Sequence, residues 1–192
     1  LDELTDDIDL SPNAFPSMTW RKGKVGGFPA RVFRVSFTGE VSYEINIPAS
    51  FGLSLWTSII NAGEKYGITP FGTEAMHVLR AEKGYIIVGQ ETDGTVTPND
   101  LGMNWAISKK KDFIGKRSLS RSDTLSPNRK QLVGLLPKDR RKVLPEGGQI
   151  TSQRYKTKSM PMIGHITSSY HSPNLGHSFA LALLKKGRSR HG

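Results

Sequence analysis

The run "RVFRVSFTGEVSYEINIP", residues 31–48, constrains the fold of this 192-residue chain more than any other stretch. Strict alternation of apolar and polar side chains suits a half-buried β-strand and does not suit a helix. Phe33, Val35 and Phe37 alternate with Arg34 and Ser36, and Val41, Tyr43, Ile45 and Ile47 alternate with Ser42, Glu44 and Asn46. A three-residue turn at Thr38, Gly39 and Glu40 pairs Phe37 with Val41 and therefore Arg34 with Glu44. Both arms are expected to send their odd-numbered residues to one core. Arg34 and Glu44 are expected as neighbours on the polar face, where a bare ion pair contributes about 0.2–1 kcal/mol.

Around this hairpin the chain reads as α+β. Residues 1–30 hold Pro12, Pro16, Pro29 and the glycines at 23, 26 and 27, which predicts an irregular lead-in with one short strand. Pro48 ends the second arm, and a helix is expected next, with Ser50 as N-cap, Leu53, Trp56, Ile59 and Ile60 at helical spacing, and Gly67 as its stop. A second helix begins near Thr73 and stops at Gly84, and "YIIVG" (85–89) reads as a short buried strand. The stretch 90–102 is rich in Gly, Pro, Asp and Thr and reads as a loop. Residues 119–130 have linker composition. Beyond them "QLVGLLP", "GGQITSQ", "MPMIGHITSSY" and "SFALALLKKG" form strand-like runs, indicating a small antiparallel sheet or barrel.

Several kinds of chemistry are excluded or disfavoured by residue type. With no cysteine there are no disulfides, thiol nucleophiles or thiolate metal sites, and the five histidines are not paired at metal-binding spacing. "GKVGGFPA" matches neither a dinucleotide nor a P-loop pattern. Ser168, Ser169 and His171 lack a nucleophile elbow and an orienting acid, so a structural turn is the better reading. Glu91, Asp93 and Asp100 lack the spacing of a calcium loop and are expected as solvated loop carboxylates. Arg80, between Leu79 and Ala81, calls for a carboxylate partner if buried, with Glu82 and Glu44 as candidates.

The net charge of +10 concentrates at residues 109–117, 138–142 and 185–190. Only Phe113 interleaves an aromatic ring, so a nucleic-acid surface is the less favoured reading. No apolar run reaches the roughly 20 residues of a membrane span, and the acidic N-terminus does not suit a secretory signal. A soluble, cytoplasmic chain is expected.

"FTGEVSYEINIP", "LRAEKGYIIVGQETDGTVTPNDLGMNWAI", "FIGKRSL" and "IGHITSSYHSPNLGHSFALALL" together resemble the C-terminal half of the aminomethyltransferase (glycine-cleavage T-protein) superfamily. Within it, "GTEAMHVLRAEKGYIIVGQ" and "TPNDLGM" are most similar to the α-subunit family of heterotetrameric sarcosine oxidases. The resemblance implies a folate-binding (aminomethyltransferase-like) domain over residues 1–118, truncated at its N-terminus, a linker at 119–130, and a C-terminal β-barrel over 131–192, truncated at its end. It implies tetrahydrofolate as cofactor, accepting the one-carbon unit released when an N-methyl amine is oxidised. FAD, FMN and NAD are implied for the complete enzyme only, and the other oxidase subunits are the implied partners.

In the family pattern the second glutamate of "YTGE..GxE" holds the pterin, and it aligns with Glu44. A carboxylate accepts two parallel hydrogen bonds from an aminopyrimidine edge as it does from a guanidinium. Phe37 stands where the family has tyrosine and is the expected aromatic wall, while Arg34 is expected to orient or neutralise Glu44. The family's folate-tail arginine is replaced by Met76, and the basic residues Lys109, Lys110, Lys111 and Arg117 are expected to attract that tail instead. The family's catalytic aspartate precedes this stretch, so no catalytic residue is assigned and the isolated chain is expected to be inactive. The resemblance leaves two further readings: an aminomethyltransferase or dimethylglycine-oxidising relative, and a non-catalytic assembly or nucleic-acid-binding module.

Overall fold

The computed structural model describes residues 1–152 and 160–191, and it divides into two compact units, Leu1–His77 and Val78–Gly192. Gln153, the end of one strand-like run, and Gly192 lie outside the described residues.

The first unit is a three-stranded antiparallel sheet, β1 (Trp20–Val25), β2 (Phe28–Phe33) and β3 (Glu44–Asn46), in sequential order. Gly26 and Gly27 make the β1–β2 turn with φ of 59° and 84°. Two successive positive φ angles are what a two-residue hairpin turn needs, and only glycine adopts both without strain. The lead-in is irregular up to residue 19 and then forms one short strand, β1, as expected; what was not expected is that β1 pairs with β2 as a hairpin. Its inner face carries Val25, Ala30 and Val32, which pack with Ile8, Phe15 and Leu55 into one buried cluster. Ile8 lies so close to β1 that a Cβ at Gly23 would come within 2.6 Å of its side chain.

The expected tight hairpin at 38–40 is absent. β2 ends at Phe33 and β3 begins at Glu44, so ten residues, 34–43, connect them. The register pairs Phe33 with Glu44, Val32 with Ile45 and Arg31 with Asn46. This is one residue away from the expected Arg34–Glu44 pairing, and a slip of one reverses the face of every side chain in that arm. Phe33 therefore joins the outer face, and even-numbered Val32 and Ala30 go inward. Tyr43, Ile45 and Ile47 do pack on the core, as the alternation predicts.

Helix α1 (Gly52–Gly63) is entered through a 3-10 turn at Ala49–Phe51, which places Phe51 rather than Ser50 at its N-cap, without a side-chain cap. The Phe51 ring stacks on Phe28 at 4.8 Å, anchoring the helix start to the sheet. Gly67, at φ 70°, ends the helical path after a further 3-10 turn, as expected.

Helix α2 (Thr73–Glu82) stops at Gly84, again left-handed at φ 72°. In the second unit the strands β4 (Lys130–Leu135), β5 (Gln149–Thr151), β6 (Met162–Ser172) and β7 (His177–Lys185) form an antiparallel sheet in the order β4-β7-β6-β5. β6 is bulged: Ile166 pairs with Ala182 and Ser168 with Leu181, so Thr167 is the extra residue. The bulge puts Ile166 and Ser168 on opposite faces although they are two apart in sequence. One face, with Val133, Ala182 and Leu184, forms one core cluster, and the other, with Phe179 and Leu181, packs against Ala81 of α2.

That second face is tied down by a buried ion pair. Arg80 Nη1 donates to Glu91 Oε2 at 2.9 Å, with both side chains fully buried. Arg80 also donates to the Tyr85 carbonyl (2.9 Å) and to Ser168 Oγ (2.7 Å), which in turn donates to Glu91. Glu91 further accepts from the Ile87 N–H at 2.8 Å. The partner of Arg80 is therefore neither Glu82 nor Glu44. Residues 85–89 are irregular chain ending in a turn and not a strand; the Tyr85 carbonyl and the Ile87 N–H bind these two charges. Ser168, Ser169 and His171 lie along β6 rather than in a turn.

A second charge pair binds the loop 90–102 to Arg129, the residue before β4. Asp100, 4% exposed, accepts from Arg129 Nε at 2.9 and 3.0 Å and from Thr97 N–H and Oγ1 at 2.8 and 2.9 Å. Glu91 and Asp100 are thus buried and paired rather than solvated. Asp93 caps its own turn by accepting from Thr95 N–H at 2.7 Å. Burial pushes the Asp100 carboxyl up, but the hydrogen bonds from Arg129 and Thr97 outweigh it and hold it below the ordinary carboxylate value.

Two outcomes are expected. Glu91→Gln strands a buried guanidinium and lowers stability in urea denaturation by about 3–5 kcal/mol, whereas the double change Arg80→Met with Glu91→Leu costs much less. Asp100 ionises more readily folded than unfolded, so its contribution is present above about pH 4 and is lost as pH falls through its lowered folded value. Asp100→Asn removes that part of the acid-unfolding profile, measured by circular dichroism between pH 2 and 6.

Candidate functional site

The outer face of β1–β2–β3 carries the sequence's leading candidate. Trp20 pairs with Phe33, and Phe33 with Glu44, so these three side chains form one row across the sheet. Lys22, Arg31 and Asn46 form the next row. Adjacent strands lie about 4.8 Å apart, which brings a carboxylate beside an aromatic surface. The Trp20 and Phe33 rings stack with centroids 6.2 Å apart and 30° between planes, and Trp20 remains 52% exposed.

Glu44 is exposed and accepts from Asn46 Nδ2 at 2.9 Å through Oε1. Among the described residues its Oε2 has no protein partner. An ionised carboxylate accepts only, so this group is suited to a ligand edge with two N–H donors. The neighbouring rings are suited to the flat face of the same ligand.

Arg34 does not orient Glu44. Its N–H donates to the Thr19 carbonyl at 3.0 Å, continuing the β1–β2 ladder by one residue, and its guanidinium donates to the carbonyl of buried Phe15. The one-residue register difference gives the physical reason: Arg34 has the opposite parity to Phe33 and so turns to the opposite side from Glu44. Arg21, on that same side, donates to the Ala14 carbonyl and lies 4.9 Å from the Phe15 ring. Two arginines thus hold the segment around residue 15 against the back of the sheet.

Phe37 lies in the 34–43 connection, 44% exposed, in a bend that includes left-handed Gly39. Lys109, Lys110, Lys111 and Arg117 belong to the second unit, and all are exposed. The backbone N–H groups of Lys110 and Lys111 donate to Ser108 Oγ, and Arg117 lies in a short 3-10 helix, Lys116–Ser120. Trp20 and Phe33 were not singled out by sequence reasoning. The available signal was "KVGGF", a glycine pair between alternating runs, which fixes the β1–β2 register and with it the aromatic row.

Among the described residues, no group of three or more His, Asp or Glu side chains is placed to hold a metal ion, and no helix is long and apolar enough to cross a membrane.

Comparison with known proteins places this chain in a family. Residues 1–111 match the model of the GCVT N-terminal domain, and residues 130–192 match that of the glycine cleavage T-protein C-terminal barrel domain. A sarcosine oxidase subunit alpha of Corynebacterium sp. (strain P-1) is 52% identical over 99% of this chain, which covers 20% of that subunit. The subunit alpha of Rhizobium meliloti (strain 1021) is 39% identical over 97% of the chain, covering 19% of that protein. An aminomethyltransferase of Clostridium botulinum (strain Okra / Type B1) is 35% identical over 97% of the chain, covering 48% of that enzyme. The chain therefore spans about a fifth of the first relatives and about half of the second kind. In fold, it superposes on the glycine cleavage system aminomethyltransferase T from Bartonella henselae with a TM-score of 0.74 over 92% of this chain and 46% of that one, at 23% identity. Two family models that between them take in both the α/β part and the terminal sheet, together with relatives matching almost end to end, establish that the chain belongs to the glycine cleavage T-protein family.

Proposed function

We propose that this chain is the tetrahydrofolate-binding portion of a sarcosine oxidase α subunit, in an enzyme that demethylates sarcosine oxidatively to glycine and passes the one-carbon unit to tetrahydrofolate. The observation that carries the reading is the exposed Glu44 carboxylate in the same cross-strand row as the stacked Trp20 and Phe33 rings. A pterin has the matching chemistry: one edge of adjacent N–H donors and a flat aromatic face. Glu44 accepts from that edge. Phe37 supplies a further aromatic surface from the connection, and Arg34 supports the site by holding the Phe15 segment behind the sheet.

The exposed cations at 109–117 supply positive potential that draws in the anionic folate tail, an effect that weakens over a Debye length of about 8 Å at physiological salt. In this reading residues 1–118 are the folate-binding domain, joined through 119–130 to the barrel at 131–192. The remaining parts of the subunit and its partners bring FAD, FMN and NAD, and the enzyme works in the cytoplasm.

Higher identity to the sarcosine oxidase subunits than to the aminomethyltransferases favours oxidative demethylation. The 35% identity to the latter supports an aminomethyltransferase as the second reading, with the same folate chemistry and a different donor.

Titration of the chain with tetrahydrofolate, followed by tryptophan fluorescence, is expected to show saturable quenching. Glu44→Gln, which keeps the shape and removes the charge-assisted bonds, weakens binding about tenfold or more, equivalent to about 1.4 kcal/mol. Unchanged affinity in Glu44→Gln refutes the pterin role of this carboxylate. Alanine at all four of Lys109, Lys110, Lys111 and Arg117 is expected to reduce affinity chiefly at low salt.

A further inference from the structure

A cavity of about 240 Å³ lies in the C-terminal unit at the end of the sheet. It opens between the first residue of β4, the last residue of β7 and the middle of the 90–102 loop. Lys130 and Lys185 both line it, and they are direct cross-strand partners in the β4–β7 ladder. Like charges directly opposite one another across a ladder are destabilising. Among the described residues neither ammonium has a carboxylate within ion-pair distance.

The cavity also contains two acids. Asp100 is neutralised by Arg129 and further bound by Thr97, whereas Asp93 accepts the N–H and hydroxyl of Thr95 through Oδ1 alone and keeps its single negative charge. Arg129 is spent on Asp100 and on the Thr95 carbonyl. The two lysines lining the space thus outnumber its one carboxylate without an ion-pair partner, Asp93, and the Asn128 amide and the imidazole of His165 line it with them. His165 stands on the same sheet face, opposite Leu183. Burial first, and then Lys130, pull its pKa below the ordinary histidine value, while Asp93 opposes them weakly.

We propose that this cavity binds a phosphate-type dianion, either free or as a monoester. Two opposed ammonium groups are compact point charges of the kind that hold phosphate oxygens. Asn128 donates a neutral hydrogen bond, and His165 adds a third cation once it is protonated. A single carboxylate would match only one of the two lysines. The cavity has room for more than one oxyanion, so it also accommodates part of the group that carries the phosphate. The site is independent of Glu44 and of the folate reading.

Proton NMR of the histidine C–H resonances of the full chain tests this, with His165 assigned through His165→Gln and ionic strength held constant with chloride. Inorganic phosphate and methyl phosphate are expected to shift His165 saturably and to raise its pKa. Lys130→Ala and Lys185→Ala are each expected to weaken that binding about tenfold or more. Because each variant removes a like-charge contact, its thermal midpoint without phosphate should be no lower than that of the parent chain, which separates loss of the site from loss of the fold.

Sulfate, which keeps its charge throughout, should bind more tightly as pH falls through the His165 pKa, and His165→Gln should lose that dependence. A response to phosphate no larger than that to chloride, or one unaltered in both lysine variants, overturns the proposal. So does binding of glutarate as tight as that of phosphate, since it would assign the site to carboxylates.

Discussion

The second unit depends on one buried contact. Arg80 and Glu91 are fully enclosed, and isolated charges in such a place would cost several kcal/mol each. Their cost is offset by their mutual contact and by Ser168, the Tyr85 carbonyl and the Ile87 N–H, which bind every side-chain nitrogen and oxygen of the pair except Arg80 Nε. Arg80 comes from the end of a helix, Glu91 and its backbone partners from the irregular stretch that follows, and Ser168 from the middle of a long strand. Each of the three is placed by the demand of the other two. The bulge at Thr167 belongs to the same arrangement, because without the extra residue Ser168 would share a face with Ile166 instead of meeting Arg80. A local irregularity in the sheet is therefore a condition for burying the charges.

In the first unit the organising constraint is parity. One residue of register decides whether Phe33 stands beside Glu44 or behind it, and whether Arg34 neutralises that carboxylate or clamps the chain at Phe15. The result is a sheet whose inner face is apolar but for the two arginines that clamp the Phe15 segment, and an outer face that carries rings, cations and one accessible carboxylate. A face of that kind contributes little to stability and is free to contribute to recognition.

The elements most legible in the sequence were those with long, consistent periods. Both helices with their glycine stops, and the strands of the C-terminal sheet, follow directly from spacing and punctuation. The family pattern picked out Glu44, and alternation placed it on a polar face. The β1–β2 hairpin was missed because Pro29 and three glycines read as irregular, although Pro29 sits in a strand and Gly26–Gly27 is the turn itself. The connection after β2 was misread because Val35 and Phe37 continue the alternation of the strand into residues that no longer pair. Glu91 was misread as a solvated loop carboxylate, and Arg80 was matched to the wrong acids, because a buried ion pair leaves no mark on local pattern. It shows only when the chain is folded and the remaining partners are in place.

The close approach of Ile8 to Gly23 has a consequence for how this part of the chain can change over generations. At residue 23 any side chain would collide with Ile8 unless that side chain or the segment carrying it shifted, and at residue 8 anything smaller would open a void against the sheet. The two positions are thus bound to a shared history. A larger residue at 23 is accommodated most readily together with a reduction at residue 8. Descendants that keep a large aliphatic residue at 8 inherit the glycine with it.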